Sequence, residues 1–348
     1  MAISIDNLGY MTMNVIIPLA GFGTRLRPHT FTKPKPLINV AGKPVLGHIL
    51  DKLTLAGVTD VAFVVGYLGE QIESYVAKQY PSLKAHYATQ KELNGQAPAV
   101  LLTKPYVSGP TMIVFVDTLA DADLSALQNE TADGVIYVKE VEDPRRFGVV
   151  SLDDQGFITK FIEKPDNKDN KLVVIGMYWV KDAARLMQAC EDLVHKNIQT
   201  KGEYYLADAF NQMIAAGAKL RIQRVDMWLD CGKPETVLET NRVLLGKGQD
   251  NSAFWAGRPD VVIVPPVNIH PTAKVSQSVI GPNATIGEEC EITLSVIRDS
   301  VVDSGAQVRE QVLAGSLIGR DAIVAGRPRR LNVGDSSVIG FEEEGEGS

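Results

Sequence analysis

Between residues 14 and about 242 the chain alternates short continuous apolar runs with longer stretches whose apolar residues recur every three to four positions. Runs at 14–20, 61–65 and 111–116 read as strands buried on both faces, while 45–56, closed by Gly57, and 69–78 read as helices. Strands alternating with helices predict a mostly parallel sheet covered on both faces, with ligands beyond the carboxyl ends of its strands. Residues 134–139, 149–152, 157–163 and 173–180 are richer in strand pattern and predict some antiparallel pairing. Helical spacing returns at 205–216 and 234–245.

The pattern changes at "GKGQDNSAFWAGRPD", residues 246–260, which reads as a linker. Beyond it aliphatic residues recur near every sixth position: Ile269, Val275, Ile280, Ile286, Ile292, Val302, Val308, Ile318 and Val324. A small residue stands two places before many of them, at Ala273, Ala284, Cys290, Ala306 and Ala322. Coils of three flat faces, each with an inward aliphatic and a small residue at the tight corner, give this period, the hexapeptide pattern of a parallel β-helix. Several steps of five residues leave an ordinary valine-rich β-domain as the alternative. The chain therefore divides into a flexible extension at 1–12, an α/β domain at 13–245, a linker at 246–260, a β-helix at 261–340 and a disordered acidic tail at 341–348.

Composition narrows the function without naming it. A 348-residue chain that is 45% hydrophobic has ample material for two cores. Its net charge of -7 argues against a general nucleic-acid binder. The apolar runs are far too short for a membrane span and the first residues lack the character of a signal peptide, so a cytoplasmic protein without a membrane partner is expected. Cys190, Cys231 and Cys290 have no paired spacing and are expected to be reduced and structural. His29, His48, His86, His195 and His270 are scattered, so none is assigned a catalytic role.

Against that acidic background, "LAGFGTRLRPHTFTKPKPL" at 19–37 concentrates cations in a glycine loop directly after the first strand. It lacks the third glycine of a dinucleotide fingerprint, and no acid ends the second strand. It is not a P-loop either. What remains is a glycine loop whose backbone N–H groups and side-chain cations suit phosphate oxygens.

This stretch closely resembles the signature of the sugar-1-phosphate nucleotidylyltransferases, which join a nucleoside triphosphate to a sugar 1-phosphate and release pyrophosphate. "TQKELNGQAPAV" (89–100), "VFVDT" (114–118), "RFGVV" with "FIEKP" (146–150 and 161–165) and "WLDCGKPE" (228–235) resemble further family motifs in the expected order. The carboxyl-terminal "IGRDAIVAGRPRRLNVGDSSVI" resembles the tail of long-form glucose-1-phosphate thymidylyltransferases. The resemblance implies a Rossmann-like, mostly parallel sheet nucleotidyltransferase domain followed by a short left-handed β-helix.

It also implies roles. Arg25 would grip the β- and γ-phosphates and Lys35 would place a point charge near the α-phosphate. Leu19, Ala20, Gly21, Gly23 and Thr24 would form the nucleotide loop, with Gln90 reading the base and Gly95 leaving room for it. Arg27 and Lys33 are as readily solvated surface. Asp117 and Asp230 would hold Mg²⁺, the implied cofactor, although each could instead cap a helix. Val116 stands where the family usually has glycine. Glu163 would accept hydrogen bonds from sugar hydroxyls, Lys164 would pair with the sugar phosphate, and Gly148 and Gly176 would let the sugar approach backbone. Glu203, Tyr178 and Trp228 are possible sugar-pocket residues outside this set.

The expected reaction is direct in-line attack by glucose 1-phosphate on dTTP or UTP, in a homo-oligomer built through the β-helix. Rivals are a mannose-1-phosphate guanylyltransferase, a catalytically weak regulatory subunit, and a β-helix acyltransferase for which only His270 is at hand.

Overall fold

A computed structural model describes residues 13–327 and residue 333. The expected extension at 1–12 and acidic tail at 341–348 lie outside those residues. Among the described residues the central sheet has nine strands. Lys84–Thr89, Asp60–Val65, Asn14–Pro18 and Thr111–Val114 lie side by side and parallel. Leu172–Val180 then joins antiparallel to Thr111–Val114 and carries the antiparallel part, Gly134–Glu140 and the hairpin Gly148–Leu152 with Ile158–Glu163.

Side chains alternate across the first strand, and each face receives its own core. Val15 and Ile17 pack with Phe63, Met112 and the helix Val45–Leu55, while Ile16 packs with Val64, Ile113 and the helices Ala183–His195 and Leu206–Ala215. No helix among the described residues is long and apolar enough to cross a membrane. The three cysteines are free and buried.

From Val261 the described residues wind into three parallel sheets of four short strands each, the parallel β-helix that the aliphatic repeat predicts and the left-handed one that the resemblance implies. Ile269, Ile280, Ile286, Ile292, Val302 and Val308 point inward and are almost wholly buried, with Ala284, Cys290 and Ala306 at the corners beside them. Val261 pairs with Ser278 and Val296 with Val312, so each coil takes 17 or 16 residues. Three hexapeptides would take about 18. The five-residue steps in the sequence are these shortened corners, turned by residues in the left-handed region such as Asn283, Asp299 and Glu310.

The stretch between the two parts is built rather than loose. Leu245–Gln249 forms a helical turn and Ser252–Trp255 a short helix, and Trp255 is fully buried at the mouth of the first coil. Its indole donates to the Ile269 carbonyl at 3.1 Å, and Arg258 stacks over the ring at 3.7 Å.

Candidate active site

The strand Asn14–Pro18 delivers the glycine loop to the carboxyl edge of the sheet. Leu19 and Ala20 are buried where the strand ends, and Leu19 donates to the Val64 carbonyl. Gly23 adopts φ +61 where a β-carbon would lie 2.9 Å from Lys35 Cβ, so the two limbs of the loop close only over a glycine. Thr30 ties the same point by donating to the Gly23 carbonyl at 2.9 Å. Gly21 and Thr24 are exposed on the loop, and the turn Thr24–Leu26 presents Arg25.

Arg25 faces a cleft of about 940 Å³ that runs from the loop to the antiparallel part of the sheet. Asp117 and Asp230 meet at its near end because the short strands Thr118–Ala120 and Trp228–Asp230 pair antiparallel, with Thr118 opposite Asp230. Lys35 donates to Asp117 Oδ2 at 2.9 Å. Burial raises the Asp117 carboxyl, but Lys35 beside it outweighs that and holds it below the usual carboxylate range. Burial and then the charge of Asp117 push the Asp230 carboxyl upward. Gly232 lets the cleft narrow here, since a β-carbon would lie 2.8 Å from Asp230 Oδ1 and 3.2 Å from Arg25 Nη2.

Neither aspartate caps a helix. Asp117 precedes a strand, and the cap of the helix Pro234–Leu244 is Lys233. The capping alternatives are therefore set aside.

At the far end Glu163 and Lys164 close the strand Ile158–Glu163. A β-carbon at Gly148 would lie 3.0 Å from Glu163 Oε2, so glycine keeps this carboxylate accessible. Burial pushes the Glu163 carboxyl above its usual range, opposed by Lys164. Lys164 turns at φ +49 to donate to Tyr205 Oη at 2.9 Å. Gly176, at φ +79, sits where the pairing of Leu172–Val180 shifts register, and its β-carbon would crowd Thr118 Oγ1 at 3.1 Å.

Arg25, Asp117, Asp230, Gly148, Glu163, Lys164 and Gly176 all line this one cleft. Leu19, Ala20, Gly21, Gly23, Thr24, Lys35, Gln90 and Gly95 are not in its wall. Gln90 is buried and donates to the Gly95 carbonyl at 3.3 Å. Gly95, at φ +134, packs against Tyr204, where a β-carbon would meet the carbonyl oxygen at 2.4 Å.

Arg145, Arg146, Phe147, Tyr205 and Lys233 also line the cleft and were given no role from the sequence, although the motifs "RFGVV" and "WLDCGKPE" take in Arg146, Phe147 and Lys233. Arg145 forks onto Asp143 at 2.8 and 2.6 Å, and Phe147 meets Trp228 edge to face at 5.0 Å. The adjacent arginines just before the "FGVV" run were the available signal. Glu203, Tyr178 and Trp228 line the cleft as well.

A nucleotidyl transferase family model matches residues 14–246. The chain is 36% identical over 237 residues to the bifunctional protein GlmU of Methanocaldococcus jannaschii, a match taking in 68% of this chain and 55% of that one, so the chain spans about half its length. It is 29% identical to a glucose-1-phosphate thymidylyltransferase of Streptomyces griseus across 93% of this chain and 98% of the relative. A crystal structure of a UDP-glucose pyrophosphorylase complexed with UDP-glucose superposes with a TM-score of 0.59 at 22% identity, covering 68% of this chain and all of that one. With the family match extending over the whole sheet domain and its cleft, the chain belongs to the nucleotidyl transferase family.

Proposed function

We propose that the protein transfers a nucleoside monophosphate from dTTP or UTP to glucose 1-phosphate, releasing pyrophosphate and forming a nucleoside diphosphate glucose. The observation that carries this reading is one cleft with two poles. Arg25, Asp117 and Asp230 stand at one end, with Lys35 on Asp117, and Glu163 and Lys164 stand at the other.

Sugar 1-phosphate oxygens are already anionic, so attack on the α-phosphorus needs alignment and charge neutralisation rather than a strong base. Among the described residues no histidine lines the cleft. Arg25 grips phosphate oxygens with its planar fork and Lys35 adds a point charge, which together favour the developing charge of the leaving pyrophosphate. Lys164 pairs with the sugar phosphate and Glu163 accepts from sugar hydroxyls, holding the nucleophile in line. Phe147 and Trp228 give that end an apolar wall.

Asp117 and Asp230 suit Mg²⁺. Both offer hard oxygen donors; burial and then the charge of Asp117 raise the Asp230 carboxyl, and a cation held by these two residues would favour its ionised form. Among the described residues no third His, Cys, Asp or Glu joins them in a metal cluster, which leaves remaining positions to water and phosphate oxygens, as is usual for this ion. Bound there, Mg²⁺ would supply charge neutralisation at the triphosphate.

The thymidylyltransferase relative, matched along nearly its full length, supports dTTP and glucose 1-phosphate as the substrate pair. We place the activity in the cytoplasm and in a homo-oligomer. Val262 and Val312, on one outer face of the β-helix, are 58% and 77% exposed and support subunit contact there, and a monomer mass in light scattering would remove that part.

The test of substrate is pyrophosphate release with Mg²⁺, crossing dTTP, UTP, GTP, ATP and CTP with glucose, galactose, mannose and N-acetylglucosamine 1-phosphates. Best turnover with dTTP or UTP and glucose 1-phosphate is expected. A clear preference for GTP with mannose 1-phosphate would replace it with the guanylyl reading, since the same loop and carboxylates serve either base.

A further inference from the structure

Neighbouring residues of the glycine loop face opposite ways. Arg25 points into the cleft, while Leu26 is 1% exposed, belongs to a core cluster against which Leu317 of the β-helix packs, and lines a small pocket with Val301 and Ile318. Lys35 holds Asp117, whereas Lys33, two residues earlier, is buried and paired with Asp303, 270 residues away. Lys33 is thus neither a solvated cation nor a cleft residue.

Asp303 has its partners complete. Oδ2 takes the Lys33 ammonium, and Oδ1 accepts from the Asn39 amide at 2.7 Å and from the Ser304 N–H at 2.9 Å. Lys33 and Asp303 are each only 8% exposed. Arg320 of the β-helix also donates to the Thr32 carbonyl at 3.4 Å. A buried ion pair adds little net stability, yet it fixes geometry, because either charge left alone is costly.

We propose that Asp303 is a positioning residue for nucleotidyl transfer: through Lys33 and Asn39 the β-helix fixes the loop that carries Arg25 and Lys35. The β-helix is then part of the catalytic apparatus and not only an assembly module. This rests on the functional reading above. An ångström of drift in the loop misplaces two phosphate-binding cations at once, and displacements of that size cost up to about a hundredfold in rate.

Full-length wild type, Asp303→Asn, Lys33→Ala and the double variant carry the test. Asp303→Asn is expected to lower kcat/KM by about tenfold to a hundredfold with a raised KM for the triphosphate. KM for the sugar phosphate stays the same, because Glu163 and Lys164 lie on elements that Asp303 does not touch. The double variant should be no worse than either single one, as two ends of one link are not additive. If Asp303→Asn fails to fold with Lys33 unpaired, the double variant, which buries neither charge, is measured in its place.

Hydrogen exchange gives a readout apart from turnover: amides of residues 19–37 should exchange faster in the variants and those of Leu206–Ala215 should not. Unchanged kinetics with unchanged loop exchange would overturn the proposal, as would equal shifts in both KM values with protection lost everywhere. No turnover in wild type alongside faster loop exchange in the variants would keep the restraint and overturn the functional reading instead.

Discussion

Asp117 and Glu163 stand at opposite ends of the cleft with their carboxyls shifted in opposite directions. Lys35 lowers the first against its burial, whereas burial raises the second against Lys164. The sign for stability follows from proton counts. Well below the usual carboxylate range the Glu163 proton is bound in both folded and unfolded chains. As pH rises toward the raised folded value, the unfolded chain gives it up first, so stability falls across that window. Glu163→Gln removes the fall. Its Tm should match wild type in acid and exceed it at neutral pH, and KM for the sugar phosphate should rise as an ionised acceptor is lost. Equal Tm values at neutral pH would contradict this. At this scale the place of Asp117 in the cleft was legible because it follows an apolar strand, and that of Asp230 through the resemblance carried by "WLDCGKPE". The bond from Lys164 to Tyr205 was not, for it depends on a left-handed turn and a partner 41 residues away.

Elements with continuous apolar runs were visible in the sequence to within a residue or two, as in Asp60–Val65 and Leu172–Val180. Lys84–Thr89 was missed because it is an edge strand with only Ala88 buried. Gln96–Leu101 was missed because a six-residue helix containing Pro98 shows no period. Ala183–His195 could have been found: Leu186, Cys190 and Leu193 share a face, and Asp182 caps it by accepting from Ala184 at 3.0 Å. The segment at 246–260 looked like a linker because its glycines and polar residues hide one anchor. Trp255 fills the open end of the β-helix, so Trp255→Ala should cost about 3 to 5 kcal/mol. Chemical denaturation followed at the β-helix would show it, and a loss below about 1 kcal/mol would mean that the coil closes without its plug.

Across the whole molecule, one polar network joins the two parts on the loop side and another lies behind it. Asn241, on the helix Pro234–Leu244, accepts from the Ala41 N–H at 2.8 Å and from Thr285 Oγ1 at 2.7 Å, and its amide donates to the Asn283 carbonyl at 3.0 Å. Contacts of this kind, from 42 residues apart for Asn241 with Asn283 to 270 for Lys33 with Asp303, leave no period or motif, which is why the order of the domains was readable and their interlock was not. The central claim, transfer of a nucleotidyl group to a sugar phosphate, is tested most directly with α-labelled dTTP, glucose 1-phosphate and Mg²⁺. Label should pass into a nucleoside diphosphate hexose with matching pyrophosphate, only when sugar phosphate is present, and at a rate lowered about a thousandfold or more in Asp117→Asn and Asp230→Asn that still fold. Folded wild-type protein that leaves the label in triphosphate across all sugar phosphates, or wild-type rates in both variants, would contradict the account.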